Sequence, residues 1–202
     1  MISISMKKKF EDFIQKIRAY NRIANVGQIS RRYVALNGFD GVITIIGVLL
    51  GSFIIGFEDY KNVIIAGSAV CISLTVSGVW SAYNSESAER IKEIQDLEKS
   101  TLHMLNGTII SRAQDYASII LSAVNGLSSG LAAFIPVIPF FFGRFLPINI
   151  CFYIAAAFAF AILASIGIFL GRISRRNLAV SVIKMVVAGL FCIGLGFLLE
   201  LI

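Results

Sequence analysis

Asp40 has the clearest potential for chemistry in this chain of 202 residues, because it heads the long apolar run NGFDGVITIIGVLLG that starts at Asn37. A carboxylate next to hydrocarbon is costly, so an acid in such a place is a functional-site hypothesis. Asn37 and Thr44 lie three residues before Asp40 and four after it. The three residues therefore share one helix face and can offer oxygen ligands to a cation. The alternative is that Asp40 caps the first helix or pairs with Arg31 or Arg32.

An acidic row in the stretch SESAERIKEIQDLEKSTLHM is the second candidate site. Four carboxylates recur there at helical spacing, within roughly 80° of one helix face. They belong to Glu86, Glu89, Glu93 and Asp96, and His103 and Met104 return near the same face. Carboxylates bind hard divalent cations, and an imidazole or a thioether adds a preference for softer transition metals. The alternative is a solvated helix face that Arg90, Lys92 and Lys99 partly neutralise.

The elements that must position these residues are membrane helices. The chain is 57% hydrophobic and 15% charged, with a mean hydropathy of +0.82, whereas a soluble domain carries about 25% charged residues. Five apolar segments have the length of about 20 residues that a bilayer-spanning helix needs. They lie near 35–57, 62–83, 116–140, 147–171 and 178–200. The predicted fold class is therefore all-α, a polytopic membrane protein with five transmembrane helices.

The second helix is predicted to extend well beyond the membrane, because neither proline nor glycine occurs between Val79 and Asn106. All 18 lysines and arginines except Lys61, Arg144 and Lys184 lie in the N-terminal tail, the second loop or the fourth loop. Positively charged residues stay on the cytoplasmic side, so the N-terminus is predicted to be cytoplasmic. The same distribution argues against nucleic-acid binding as the reason for the net charge of +6, since the charges follow topology and form no single patch.

Two regions are predicted, a basic N-terminal helix over 1–33 and a five-helix transmembrane domain over 34–202 that carries a short cytoplasmic acidic insert at 84–115. Residues 6–25 are amphipathic. They form a helix that either lies in the cytoplasmic membrane interface or packs on the protein's own inner loops. The long basic tail is not typical of a cleavable signal peptide. With no organelle signal in the sequence, the expected location is a prokaryotic plasma membrane.

Gly47 and Gly51 form a G-x-x-x-G pair in the first segment. Such a pair lets two helix backbones approach closely, which predicts contact with a second subunit; the alternative is packing within one chain. The chain has one histidine and neither a nucleophile elbow nor a phosphate loop. We therefore expect neither an enzyme nor a tightly bound cofactor.

Four stretches carry patterns of small, acidic and proline residues: FDGVITIIGVLLG, SGVWSAYNSESAE, SSGLAAFIPVIPFF and RRNLAVSVIKMVVAGLFCIGLG. In this order they resemble helices one, two, three and five of the vacuolar iron transporter family of yeast, plants and prokaryotes. The shared features are a D-G pair heading a glycine-rich span, a G-x-Y/W stretch running into S-E, a P-x-x-P after small residues, and a basic-Met pair ahead of glycines. The resemblance covers about residues 34–200.

The resemblance implies a homodimer with five spans per subunit, whose first helices surround a metal path. It also implies export of Fe²⁺ or Mn²⁺ from the cytoplasm in exchange for protons. Asp40 matches the family's intramembrane acid, and the glutamates of its metal-collecting helix are matched by Glu86, Glu89 and Glu93. The family's path positions on the second helix, a methionine and an acid, fall near Thr75 and Gly67. The cytoplasmic insert is shorter than in the family's iron transporters, so the chain resembles a divergent member.

The leading hypothesis is therefore a homodimeric divalent-metal transporter of the lipid bilayer. Its acidic helix face raises the local cation concentration, and metal binding displaces a proton from Asp40. The rival is a membrane scaffold or partner-binding protein of the same fold without ion flux. In that case Asp40 only caps the first helix or pairs with a nearby arginine.

Overall fold

The five predicted spans correspond to five long helices in a computed structural model, which describes residue 17 and residues 19–56, 59–105, 107–175 and 177–199. The elements in chain order are α1 (Val26–Ile55), α2 (Tyr60–Thr101), α3 (Ile109–Phe134), a 3-10 helix (Ile135–Phe142), α4 (Ile148–Ser174) and α5 (Leu178–Leu199). The five α-helices are each long and apolar enough to cross a membrane. The predicted all-α class with five membrane-spanning helices is confirmed.

The helix α2 extends far beyond a bilayer, as the sequence predicts. Its 42 residues span about 63 Å at 1.5 Å per residue, whereas the hydrocarbon core is about 30 Å thick. Asp59 caps its first turn by accepting a hydrogen bond from the Lys61 amide at 2.9 Å. The helix ends at Leu102, whose φ of 55° is left-handed. The polar part of α2 is therefore one continuous projection from the membrane-spanning part.

The helix α1 begins earlier than the predicted span, at Val26 and not near 35. Asn25, with a left-handed φ of 51°, separates α1 from helical residues at 19–23. Ala24 is buried in a cluster with Ala117 and Leu121 of α3. This residue just before α1 therefore packs on α3, and the choice between the membrane interface and the inner loops for the predicted amphipathic helix stays a prediction. The rest of the prediction, residues 6–16 and 18, lies outside the described residues.

Close packing of α3 against α1 and α2 organises the bundle. A Cβ atom added at Gly41 of α1 would collide with the carbonyl oxygen of Ser129 on α3. One added at Gly126 of α3 would collide with the carbonyl oxygen of Thr75 on α2. Only glycine permits such backbone approach. The α-helix gives way at Ile135 to the 3-10 helix, which contains both prolines of the P-x-x-P pattern.

The antiparallel order of the helices brings the start of α1, the end of α2, the start of α3, the end of α4 and the start of α5 to one end of the bundle. We call this the basic end. Its described lysines and arginines include Arg22, Arg31, Arg32, Lys92, Lys99, Arg112, Arg172 and Arg175. At the opposite end, the described residues include only Lys61 and Arg144 of this type.

Candidate functional site

A polar stripe runs along one face of α1 from the basic end into its apolar part. Its members fall within roughly 60° of arc at about 100° per residue. They are Tyr33, Asn37, Asp40 and Thr44. Gly47 and Gly51 continue the same face toward the other end of the helix. The stripe therefore places the predicted path residues of α1, and the predicted dimer glycines beyond them, on one side of a single helix.

Asp40 is exposed on this face and lies deep within α1, about 21 Å along the helix from Val26. Asp40 is thus not the cap of the first helix, and the alternative that gave it this role is wrong. The ion pairs among the described residues involve Arg90 and Lys99, and the described hydrogen bonds include none to the Asp40 carboxylate. The carboxylate therefore faces outward from the subunit, without a partner in the part of the chain that the structure describes.

A chain of amide contacts fixes the level of Asp40 in the bundle. The Asn37 Nδ2 atom donates to the Asn125 Oδ1 atom of α3 at 2.7 Å, and the Asn125 Nδ2 atom donates to the Gly78 carbonyl of α2 at 2.9 Å. Trp80, which is 71% exposed, lies two residues from Gly78 toward the basic end. Tryptophan concentrates at the membrane–water interface. Asp40 lies about 4.5 Å beyond Asn37 in the opposite direction, on the hydrocarbon side of that interface.

The two predicted threonine ligands use their hydroxyl protons on their own helices. The Thr44 hydroxyl donates to the backbone carbonyl of Asp40 at 2.7 Å, and the Thr75 hydroxyl donates to the Cys71 carbonyl at 2.8 Å. Both oxygens keep lone pairs that can accept or coordinate. Thr44 shares the exposed face of Asp40, whereas Thr75 lies in the contact between α2 and α3, against Gly130. Asn37 turns its amide toward α3 and so lies at the edge of the face.

A polar cleft of about 460 Å³ lies at the foot of the stripe, at the basic end. Its walls come from the start of α1, the extended part of α2 and the start of α3. The lining includes Arg32 and Tyr33 of α1, Glu86, Glu89, Arg90 and Glu93 of α2, and Gln114 of α3. Three of the four predicted acidic residues thus share one cleft.

Arg90 is the centre of the cleft. It contacts Glu86 Oε2 through Nη2 at 3.4 Å and Glu93 Oε2 through Nη1 at 3.2 Å, and it donates to Gln114 Oε1 at 2.9 Å. The Tyr33 hydroxyl donates to the other Glu86 oxygen, Oε1. The side chains of Arg90 and Glu86 are only 9% and 11% exposed. The predicted carboxylate row is therefore compensated from within the protein at two of its members.

The remaining members of the predicted acidic face stay apart from this network. Glu89 is exposed at the cleft, and Asp96 lies 3.9 Å from Lys99 in an exposed ion pair. His103 and Met104 lie in the exposed turn between α2 and α3. Among the described residues, no three His, Cys, Asp or Glu side chains are grouped so that they could hold a metal ion together.

Gly47 and Gly51 are in close packing contact with none of the other residues that the structure describes. A Cβ atom added at either position would meet nothing within 4 Å. The two glycines line a groove of about 630 Å³ between α1 and α5, which also includes Cys192 and Gly196. The alternative of close intrachain packing at this G-x-x-x-G pair is therefore wrong, and the predicted contact with a second subunit stays a prediction.

Several residues of the site were missed by sequence reasoning. Tyr33 lies one turn before Asn37 on the same helix face, but it was not linked to the acidic row. Asn125 and Gln114 are amide side chains in and just before an apolar segment, where polar groups need partners. That signal was available in the sequence. The partners on other helices were not.

The fold and the site define an integral membrane protein of five helices, with a polar stripe on its first helix that leads from a charged cleft to an exposed carboxylate. The chain belongs to the family of the uncharacterized protein MJ0645 of Methanocaldococcus jannaschii. It is 31% identical to that protein over 177 residues, which cover 86% of this chain and 90% of the relative. No family model matches the chain, and no solved structure matches it.

Proposed function

We propose that the protein is a homodimeric transporter of divalent transition metals, which exports Fe²⁺ or Mn²⁺ from the cytoplasm in exchange for protons. The observation that carries the proposal is the exposed carboxylate of Asp40. It lies in the middle of a membrane-spanning helix, on the hydrocarbon side of Trp80, with no intrachain partner among the described residues. The likeness of the four sequence stretches to the vacuolar iron transporter family is in accord with this function.

The position of Asp40 calls for a group outside the subunit. An ionised acid facing lipid is costly, and the structure offers no cap, no arginine and no donor to offset that cost within the described residues. In a twofold dimer the same surface of both copies meets at the interface, so a second copy of the chain would cover Asp40. The uncovered glycine face of Gly47 and Gly51 supports such an arrangement. Two Asp40 carboxylates near the axis would form a site for a divalent cation.

The coupling to protons follows from the charge state of such a pair. A proton and a divalent cation compete for the same carboxylate oxygens, since metals bind the ionised carboxylate. Metal entry therefore displaces a proton, and a proton entering from the other side releases the metal. Thr44, one turn along the same face, can add a hydroxyl oxygen to the site.

The proposed direction rests on the positive-inside rule. With the basic end in the cytoplasm, the N-terminus lies inside and the C-terminus outside, in the plasma membrane of a prokaryote. The charged cleft is then the cytoplasmic entrance. The stripe from Tyr33 to Asp40 covers about 10 Å of helix between the entrance and the intramembrane acid.

Flux measurements on purified protein in liposomes test the proposal. With a pH gradient, the wild type should take up Mn²⁺ and Fe²⁺, and Asp40→Asn should lower the initial rate at least about tenfold, because the neutral amide cannot exchange a proton for a cation. Asp115→Asn is the matched control, since Asp115 is an exposed acid on α3 and should leave the rate within about twofold. Equal flux in wild type and Asp40→Asn would overturn the role of Asp40.

A membrane scaffold of the same fold is the second candidate, and one observation favours it. Arg90 already neutralises Glu86 and Glu93, so the acidic row of this conformation is not an open cation collector. In that case liposomes that contain the wild type should take up none of the tested ions, Fe²⁺, Mn²⁺, Co²⁺ and Zn²⁺, above empty liposomes. That result would reject transport and retain the scaffold.

A further inference from the structure

We propose that Arg90 is a tethered counter-cation, which occupies the carboxylate cluster of the cleft and must leave before a divalent cation binds there. This inference rests on the proposed function, because it assigns a regulatory role to the entrance of the proposed transport path. Arg90 has the same sign of charge as the expected cation, and its position decides when the carboxylates are available.

The geometry places the guanidinium between two carboxylates of the same helix. Arg90 lies one turn after Glu86 and three residues before Glu93, and it contacts one oxygen of each at 3.4 Å and 3.2 Å. Charge-assisted hydrogen bonds are usually about 2.7–2.9 Å long, and strong arginine pairs are bidentate. Both contacts of Arg90 are longer and use single atoms. The guanidinium is thus held by one single-atom contact to each carboxylate and by a 2.9 Å hydrogen bond to Gln114 Oε1.

A second observation shows that Arg90 is incompletely satisfied where it lies. Its side chain is more than nine-tenths buried, and its Nε atom is buried with no hydrogen-bond partner within the described residues. A buried donor without an acceptor destabilises the conformation that contains it. Moving the side chain out of the cleft would hydrate this donor, which offsets part of the cost of losing the contacts with Glu86, Glu93 and Gln114.

The other charged groups of the cleft define what enters when Arg90 leaves. Glu89 is exposed at the cleft and lies between Glu86 and Glu93 in sequence. Arg32, the other cation of the lining, lies 5.7 Å from the ring centroid of Tyr33, a distance at which a cation attracts an aromatic face. Without Arg90, three carboxylates would face one remaining cation. The cleft would then attract a hard divalent cation such as Mn²⁺.

Equilibrium Mn²⁺ binding to the purified full-length protein tests the role of Arg90, with free Mn²⁺ quantified by its electron paramagnetic resonance signal. Arg90→Gln should bind Mn²⁺ at least about tenfold more tightly than the wild type, because a positive charge next to the site is removed. Arg90→Lys keeps the charge and should stay close to the wild type. Adding Glu89→Gln to Arg90→Gln should abolish the gain.

Lys92→Gln is the matched control, because it removes an exposed positive charge two residues away on the same helix. Its affinity for Mn²⁺ should stay within about twofold of the wild type. Equal affinity of Arg90→Gln and the wild type would overturn the inference. A gain in Lys92→Gln as large as that in Arg90→Gln would overturn it too, because net charge alone would then explain the effect.

A measurement on the wild type covers the case in which Arg90→Gln does not fold. Phenylglyoxal modifies accessible arginines, and peptide mass spectrometry can follow Arg90 by itself. Saturating Mn²⁺ should raise the modification of Arg90 severalfold, whereas unchanged modification would contradict its release. These binding readouts are independent of flux. Tighter Mn²⁺ binding by Arg90→Gln without any flux would reject the transporter and keep the counter-cation. Flux that depends on Asp40, together with an unchanged Mn²⁺ affinity of Arg90→Gln, would keep the transporter and reject the counter-cation.

Discussion

Two acidic regions on one side of the bundle differ in whether the subunit compensates their negative charge. In the cleft, Glu86 is buried, accepts from the Tyr33 hydroxyl and lies against the Arg90 guanidinium. On the membrane face of α1, Asp40 is exposed and has no such partner among the described residues. Tyr33 and Asp40 lie only two turns apart on the same stripe. The subunit therefore compensates one acidic site by itself and leaves the other without a partner in the described part of the chain.

This difference distinguishes an acid that the fold must pair from an acid that the fold leaves unpaired. A buried charge must be paired within the fold, since removing its partner leaves an uncompensated charge. A carboxylate on the outer surface of a subunit contributes little to that subunit's own stability. Residues that serve binding are often poorly satisfied in the isolated protein. By this criterion Asp40 is open to binding in the described conformation, whereas Glu86 is already paired with Arg90 and Tyr33.

The largest effect should come from breaking the compensated region. Glu86→Gln removes the charge that faces buried Arg90 and should lower the free energy of unfolding by about 3 kcal/mol. Thermal unfolding in detergent, followed by the fluorescence of Trp80, measures the change. Glu89→Gln alters the same side chain at an exposed position one turn along the helix, and it should stay within about 0.5 kcal/mol of the wild type. Equal losses in the two variants would contradict the assigned pairing.

Alanine substitutions on the buried and the uncovered side of α1 should differ in stability by a medium amount. Gly41→Ala places a methyl group into the carbonyl of Ser129 and should destabilise the protein by about 1–3 kcal/mol. Gly47→Ala meets nothing within 4 Å, so the subunit should keep its stability or gain up to about 1 kcal/mol from the better helix former. Unfolding midpoints of the two variants provide the test. A loss at Gly47 similar to that at Gly41 would show that this face is covered, and its dependence on protein concentration would distinguish a dimer contact from an intrachain one.

The smallest effect is expected at Asp40 itself. Asp40→Asn should change the free energy of unfolding in detergent by no more than about 0.5 kcal/mol, because no described contact of the carboxylate is lost. The same unfolding assay applies, and the variant should be as well folded as the wild type. A loss comparable to that of Glu86→Gln would show that Asp40 has a structural partner, which would remove the contrast between the two regions.

The number of spans and the extension of α2 could be predicted from local signals. Apolar length defined the spans, and the absence of helix breakers after Val79 predicted the projection. The start of α1 at Val26 precedes the predicted span, because Arg31 and Arg32 interrupt the apolar pattern and not the helix. A helix that leaves the membrane can carry charged residues without interruption, so the apolar pattern marks the span and not the helix.

The site was harder to predict because its contacts join distant parts of the chain. The period of the helix correctly placed Asn37, Asp40 and Thr44 on one face, and it grouped the glutamates on one face. It could not reveal that Arg90 turns toward that face, nor that Gln114 of α3 meets it, since both depend on how α2 and α3 pack. The outward direction of Asp40 likewise depends on which face of α1 contacts the neighbouring helices.

The glycine contacts of the bundle divide it mechanically into two blocks. The backbones of α1, α2 and α3 touch at Gly41 and Gly126, and those of α4 and α5 touch where Gly167 approaches Val182. Between the blocks the contacts involve side chains, such as the edge-on rings of Phe53 and Phe152, and buried side chains of α1 and α4 share a hydrophobic core. Backbones in direct contact cannot slide without collision, whereas interdigitated side chains can change rotamers. Sliding of α1 against α3, or of α4 against α5, would therefore require these backbones to separate first.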